Sequence, residues 1–202
     1  LDQKRRKLLP ALAPWKREGL YLAGGTALAL RLGHRTSLDF DFYSTEDFDP
    51  LRLAGKLSLP PGGFKISTQK PGTLLGRAGG VHLSAFHYPY RLLKPATETP
   101  SFLVASLEDI AAMKLIAVAQ RGTRRDFTDL YFLCRLFDLE EVLSFAGKKY
   151  TSFDVYTGLR GLIYFEEAER EPPRPGVRLL KPAPWKDVKA FFLREVQRRS
   201  RR

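Results

Sequence analysis

An α+β fold is predicted by a change of texture along the chain and by one interrupted strand. Short apolar runs separated by glycine and proline lie before "LLKPATETPSF", and runs with helical spacing lie after it. Near residue 40 an Asp-x-Asp pair breaks into an aromatic strand, where aspartate is among the most depleted residues. These observations place an α+β part over residues 1–98 and a helical part over residues 99–202. Each alone would bury little surface, so a shared interface between them is expected.

The composition bounds the function class. With 44% hydrophobic and 28% charged residues over 202 positions, the chain reads as globular, and disorder is excluded. The formal charge of +12 favours polyanionic partners such as RNA, DNA or nucleotides, although solubility or high-temperature adaptation would give the same balance. The single Cys134 excludes an internal disulfide, and the three histidines show no zinc-site spacing. No run approaches the about 20 apolar residues needed to span a bilayer, and "LDQKRRKLLPALAPWKREG" lacks the apolar segment of a signal peptide. A cytoplasmic, reducing setting without membrane contact is expected. The chain opens on Leu, so residues preceding it are expected in the full protein.

Taken in order, "YLAGGTALALRLG" reads as a short strand, a turn at Gly24, Gly25 and Thr26, and a tight apolar helix stopped at Gly33. Glycines at a helix N-terminus let phosphate oxygens approach backbone N–H groups, where the helix dipole also favours anions. Thr26 is placed to cap the helix or to bond a phosphate, although a plain strand-to-helix turn uses the same residues. In "TSLDFDFY" strand alternation sends Leu38, Phe40 and Phe42 to one face and Ser37, Asp39, Asp41 and Tyr43 to the other. Carboxylates at i and i+2 stand about 7 Å apart, close enough to share a hard divalent cation. Without a cation they repel each other; a solvated, acidic edge strand would show the same spacing. The stretch "KLSLPPGGFKISTQKPGTLLGRAGGVHLSAFHYPY" then reads as strands with tight connections.

The second part is helical. "SLEDIAAMKLIAVAQRG" opens with Ser106 and Asp109 in capping-box spacing, carries Ile110, Met113 and Ala117 on one side, and stops at Gly122. Lys114 lies about 40° round from Ile110, at the margin of that side, where a lysine snorkels out, pairs with a carboxylate or meets an anion. "RRDFTDLYFLCRLF" continues the spacing with Leu130, Leu133 and Phe137. Asp126 and Asp129 share that side and need partners: the helix N-terminus, Arg124, Arg125 or Lys114. "DLEEVLSFAGKKY" repeats the capping arrangement at Asp138 and Glu141, and further helices are expected around 153–169 and 185–199, separated by "EREPPRPG". The last carries Val188, Phe191, Phe192 and Val196 opposite a basic remainder, suited to packing or to a phosphate-backbone contact.

The order strand, Gly-Gly-Thr, short helix, Asp-x-Asp strand resembles the nucleotidyltransferase superfamily of polymerase-β type. There a Gly-Ser pair precedes two metal-binding carboxylates; here Gly25-Thr26 stands for the pair, with twelve residues before Asp39. "GGTALALRLGHRTSLDFDFY" followed by "MKLIAVAQRGTRRDFTDLYFL" is similar, more closely, to the AbiEii/AbiGii toxin family of nucleotidyltransferases. Four motifs match in order: the Gly-Gly-Thr helix, the Arg-x-Ser-x-Asp-x-Asp strand, a helical lysine and an Arg-Asp-x-x-Asp-Leu helix. They cover most of residues 20–135.

The resemblance implies a polymerase-β-like mixed sheet flanked by helices and followed by a helical part that completes the active-site cleft. It further implies Mg²⁺-dependent (or Mn²⁺-dependent) transfer of a nucleoside monophosphate from an NTP to a hydroxyl, with release of pyrophosphate. By the same resemblance Asp39 and Asp41 hold metal, Gly24, Gly25, Thr26, Arg35, Ser37 and Lys114 bind the nucleotide, and Asp126 joins the catalytic set; bracing the strand is the alternative role for Arg35. The implied biology is the toxin of a toxin–antitoxin or phage-defence pair, with a tRNA 3′ end as acceptor and a separately encoded antitoxin as partner. One departure stands out: the superfamily's third carboxylate, on a later strand, has no counterpart in "GGVHLSAFHYPY", where His82 and His87 are the titratable groups. Transfer to a small molecule such as an aminoglycoside, and a catalytically degenerate RNA-binding module, are the alternative readings.

Overall fold

The computed structural model describes residues 1–201, which divide into two compact units. The first comprises Leu1–Arg31 and Thr36–Ser106; the second comprises Leu32–Arg35 and the chain from Leu107 onward.

In the first unit, α1 (Gln3–Arg17) and β1 (Tyr21–Leu22) lead into α2 (Gly24–Leu32), whose last residue belongs to the second unit. There follow β2 (Phe40–Ser44), α3 (Pro50–Gly55), β3 (Phe64–Lys70), β4 (Thr73–Ala78), β5 (Val81–His87), β6 (Thr97–Glu98) and β7 (Leu103–Val104). The strands form one mixed sheet in the order β3-β4-β5-β2-β1-β7-β6. β2 runs parallel to β5 and β1 parallel to β7; the other pairings are antiparallel. The mixed sheet with flanking helices is the α+β architecture expected from the sequence. The β4–β5 hairpin closes on Gly79 and Gly80, both with positive φ, as a two-residue primed turn requires.

β2 lies between β5 and β1, so it is an interior strand and not the acidic edge that the spacing alone allowed. Its alternation is the expected one. Phe40 and Phe42 are fully buried, while Asp41 and Tyr43 are half-buried on the opposite face. Phe42 packs edge-on against Trp15 of α1 at 5.2 Å and against Phe102 at 6.2 Å, and the Trp15 indole donates to the Leu53 carbonyl at 2.9 Å. Burying each of these aromatics contributes on the order of 2–3 kcal/mol, which holds the strand that carries Asp41. The strand begins at Phe40, so Asp39 immediately precedes it.

The second unit consists of α4 (Leu107–Arg121), α5 (Arg124–Leu133), α6 (Leu139–Lys149), α7 (Val155–Leu162), α8 (Glu166–Arg170) and α9 (Trp185–Ser200). Gly122 ends α4 in the left-handed conformation, Thr123 caps α5 by accepting from the Asp126 N–H at 3.2 Å, and Asp138 with Glu141 forms the expected capping box on α6. Two expectations are corrected. α5 stops at Leu133, leaving Phe137 in the turn beyond it, and the helix expected around 153–169 is two, broken at Ile163–Phe165. Three glutamates in the first turn of α8 suit the fresh N-terminus made by that break. Phe127, Phe165, Trp185 and Phe192 make an aromatic core, with Phe127 at 5.1–5.7 Å from the other three rings. A fully buried ion pair, Lys149 to Asp109 at 2.7 Å, ties α6 to α4. Among the described residues no helix is long and apolar enough to cross a membrane.

Candidate active site

The residues singled out in the sequence fall into two groups. Gly24, Gly25, Thr26, Ser37, Asp39 and Asp41 lie in the first unit; Arg35, Lys114 and Asp126 lie in the second.

In the first unit, the pairing of β1 with β2 extends one residue to Ala23, whose N–H donates to the Asp41 carbonyl at 3.1 Å. The chain then turns into α2 through Gly24, at φ +64°. A methyl group there would sit 3.8 Å from Asp41 Oδ2 and 3.9 Å from the Tyr43 hydroxyl, so the glycine-led start of α2 lies close to the carboxylate. The positive φ favours glycine, while the space beside Asp41 would admit a methyl group at ordinary contact distance. Thr26 is buried, with its hydroxyl 2.7 Å from Ser37 Oγ and also bonded to the Asp39 carbonyl. The Gly-Gly-Thr turn therefore braces the segment Ser37–Asp39 against α2 while placing its backbone beside Asp41. On the neighbouring strand, Ser84 is in register with Asp41 and its hydroxyl donates to Asp41 Oδ1.

Asp39 and Asp41 offer oxygen donors only. That chemistry suits a hard divalent cation completing its shell with water and phosphate oxygens, as Mg²⁺ does. Among the described residues no group of three His, Cys, Asp or Glu side chains is placed to hold a metal. The strand expected to carry a third carboxylate is β5, and Ser84 faces Asp41 from it. His82 is exposed and bonded to Arg77, and His87 falls on the alternate face of β5 with Leu83 and Ala85, 3.9 Å from Asp47.

The second unit gathers a buried charge cluster. Asp129, fully buried, accepts from His34 Nε2 at 2.8 Å and from Arg35 Nε at 2.6 Å on one oxygen, and from Arg35 Nη2 at 2.8 Å on the other. Lys114 Nζ completes it at 2.7 Å from Asp129 Oδ2 and 2.8 Å from Asp126 Oδ1. Asp126 is further held by Arg121 Nε at 3.0 Å and by the Thr123 hydroxyl at 2.7 Å. Burial alone would raise the Asp126 carboxyl, but Lys114 and Arg121 override it and hold it at about 2. Asp129 is likewise driven far below the ordinary range, burial being outweighed by Lys114, Arg35 and His34. Burial opposes the charge on Lys114, yet Asp129 and Asp126 raise its value above 10.5.

Two contributors escaped the sequence reading. Ser84 lacks any local mark, and only the β2–β5 register brings it to Asp41. His34 follows the helix-stopping Gly33 and is fully buried against Asp129, from which it is 95 positions distant in sequence. The signal available was its neighbour Arg35, which chelates the same carboxylate.

With this geometry in hand, residues 79–200 match the family model described as Nucleotidyl transferase AbiEii toxin, Type IV TA system. An uncharacterized protein of Aquifex aeolicus (strain VF5) is 37% identical over 188 residues, covering 88% of this chain and 86% of that protein. Among solved structures, MenT4, a nucleotidyltransferase toxin of Mycobacterium tuberculosis H37Rv, superposes with a TM-score of 0.60 at 18% identity, over 96% of this chain and 82% of that one. The antibiotic-resistance factor ANT(2″)-Ia does so with a TM-score of 0.52 at 17% identity, over 73% of this chain and 91% of that one. At these identities the two structures share the fold.

Proposed function

The chain belongs to the AbiEii nucleotidyltransferase toxin family of type IV toxin–antitoxin systems, and on that premise we propose that it moves a nucleoside monophosphate from an NTP to a hydroxyl of RNA, a tRNA 3′ end. The acceptor oxygen forms a bond to the α-phosphorus, the bond to the pyrophosphate oxygen breaks, and the hydroxyl proton is released. The observation that supports this reading is the nearness of the Gly24 turn to Asp41: a methyl on Gly24 would sit 3.8 Å from Asp41 Oδ2, so the start of α2 adjoins the carboxylate assigned here to the metal.

Asp39 and Asp41 would hold Mg²⁺, which when bound neutralises triphosphate charge and favours the ionised acceptor. Backbone N–H groups at the start of α2, from Gly25 and its neighbours, orient phosphate oxygens. Thr26 and Ser37 keep Asp39 in place through the Thr26 hydroxyl. Ser84 orients the Asp41 carboxylate by donating to one oxygen, leaving the other toward the glycine turn. Lys114 and Asp126 act within the charge cluster of the second unit, and the charge of +12 supports a polyanionic acceptor over a cationic drug. A separately encoded antitoxin is the proposed protein partner, in line with the family's toxin–antitoxin character.

The test is incubation of the protein with each labelled NTP, Mg²⁺ and total tRNA, alongside Asp41→Ala. Label on tRNA that falls about 100-fold or more in the variant is expected. Labelling that survives Asp41→Ala would refute the metal assignment. Salt-sensitive RNA binding without label from any NTP would point to a degenerate binding module, and label on an aminoglycoside to the small-molecule alternative.

A further inference from the structure

The second unit contains a pocket of about 230 Å³ that none of the residues proposed for the transfer chemistry line, apart from Arg35. Arg124 and Arg125, from the start of α5, and Arg174, beyond α8, join Arg35 around it, against a single carboxylate, Glu171. That carboxylate is committed: it accepts from the Arg124 backbone N–H at 2.8 Å and from Arg125 Nη2 at 3.0 Å. Arg124 is held in place with its guanidinium 5.1 Å over the Trp185 ring, and its Nε is buried without a hydrogen-bond partner in the protein. Pro172, Pro173 and Leu179 add apolar surface to the lining, and Leu179 is anchored by an antiparallel bridge to Arg35.

Guanidinium groups and apolar proline and leucine side chains in one lining form a two-part recognition surface. Phosphate takes charge-assisted hydrogen bonds at the first, where Arg35 and Arg125 are already oriented by Asp129 and Glu171, and an aromatic base takes the second. The volume lies below the range of about 300–1,000 Å³ usual for drug-sized ligands, which limits the occupant to one nucleotide at most. Having no uncommitted carboxylate for a divalent cation, the pocket is poorly suited to a metal-bound triphosphate. We propose that it seats one nucleotide of the single-stranded acceptor RNA, its phosphate among the arginines and its base on the Pro172–Pro173 surface. The identity of the acceptor rests on the transferase reading above; the pocket's affinity for RNA does not.

The test is fluorescence anisotropy of a labelled eight-nucleotide single-stranded RNA, without NTP or Mg²⁺, over a series of KCl concentrations. Arg174→Glu is compared with Lys148→Glu, which makes the same change of charge at an exposed position on α6. Arg174→Glu should weaken binding about 10-fold or more and flatten the log–log salt slope by about 0.7, one phosphate contact on a single strand. Lys148→Glu should stay within about 2-fold. Arg174→Gln, which keeps much of the side-chain size, supplies the same comparison if the reversal fails to fold. Equal losses in the Arg174 and Lys148 variants, unchanged binding in the Arg174 variants, or competition by nucleoside monophosphates or polyglutamate as strong as by unlabelled RNA would each overturn the proposal. RNA binding that depends on Arg174 in a protein that labels nothing would sink the transferase reading alone.

Discussion

The aspartates of this protein divide by what surrounds them. Asp41 is half-buried beside a glycine turn with Ser84 bonded to one oxygen, whereas Asp129 is fully buried among His34, Arg35 and Lys114. Removing a buried carboxylate leaves its cations desolvated and uncompensated, so Asp129→Ala should lower stability by about 3–5 kcal/mol in urea denaturation. A loss under about 1 kcal/mol would mean that the cluster is not what holds Lys114 and Arg35. The sequence marked Asp126 and Asp129 as needing partners and named Lys114 among them, and the structure supplies that pairing. It could not name Arg35 or His34 as the partners of Asp129, because they lie 94 and 95 positions away and only tertiary packing brings them there.

At the scale of elements, local chemistry was the most legible part. The Gly-Gly-Thr helix ended by Gly33, the α4 stop at Gly122 and the Asp138–Glu141 capping box all rest on interactions within a few residues of chain, and all occur. The break between α7 and α8 was not legible, since the apolar spacing runs through 153–169 without a proline or a glycine at Ile163–Phe165. The interior placement of β2 was not legible either, because strand order depends on long-range pairing with β5 and β1. Thr123 was not singled out as a cap, yet its hydroxyl both accepts from the Asp126 N–H and donates to the Asp126 carboxylate. Thr123→Ala should therefore cost about 1 kcal/mol or somewhat more, with α5 losing amide protection in hydrogen exchange. Unchanged protection across the first turn of α5 would contradict the cap.

For the whole molecule, charge sets the response to pH. Asp126 and Asp129 have values depressed below the ordinary carboxylate 3.8, so the stability they contribute is fully present above that value and is lost as the pH falls through the folded values, about 2 for Asp126. Lys114, raised above 10.5, keeps its contribution up to that pH and loses it only at higher pH. The contribution of this cluster to the melting temperature should thus be level across neutral pH and decline between about pH 4 and 2, and the decline should shrink in Asp129→Asn. A wild-type decline no steeper than that of the variant would remove the cluster from the acid response. The central claim is that Asp39 and Asp41, beside the Gly24 turn, hold a metal-bound nucleotide. It is tested most directly by Mn²⁺ electron paramagnetic resonance, titrating the protein with Mn²⁺ and a non-hydrolysable NTP analogue. Saturable binding of the metal with the nucleotide is predicted for the wild type, with loss in Asp39→Asn/Asp41→Asn at an unchanged melting temperature; undiminished binding in that folded double variant would contradict it.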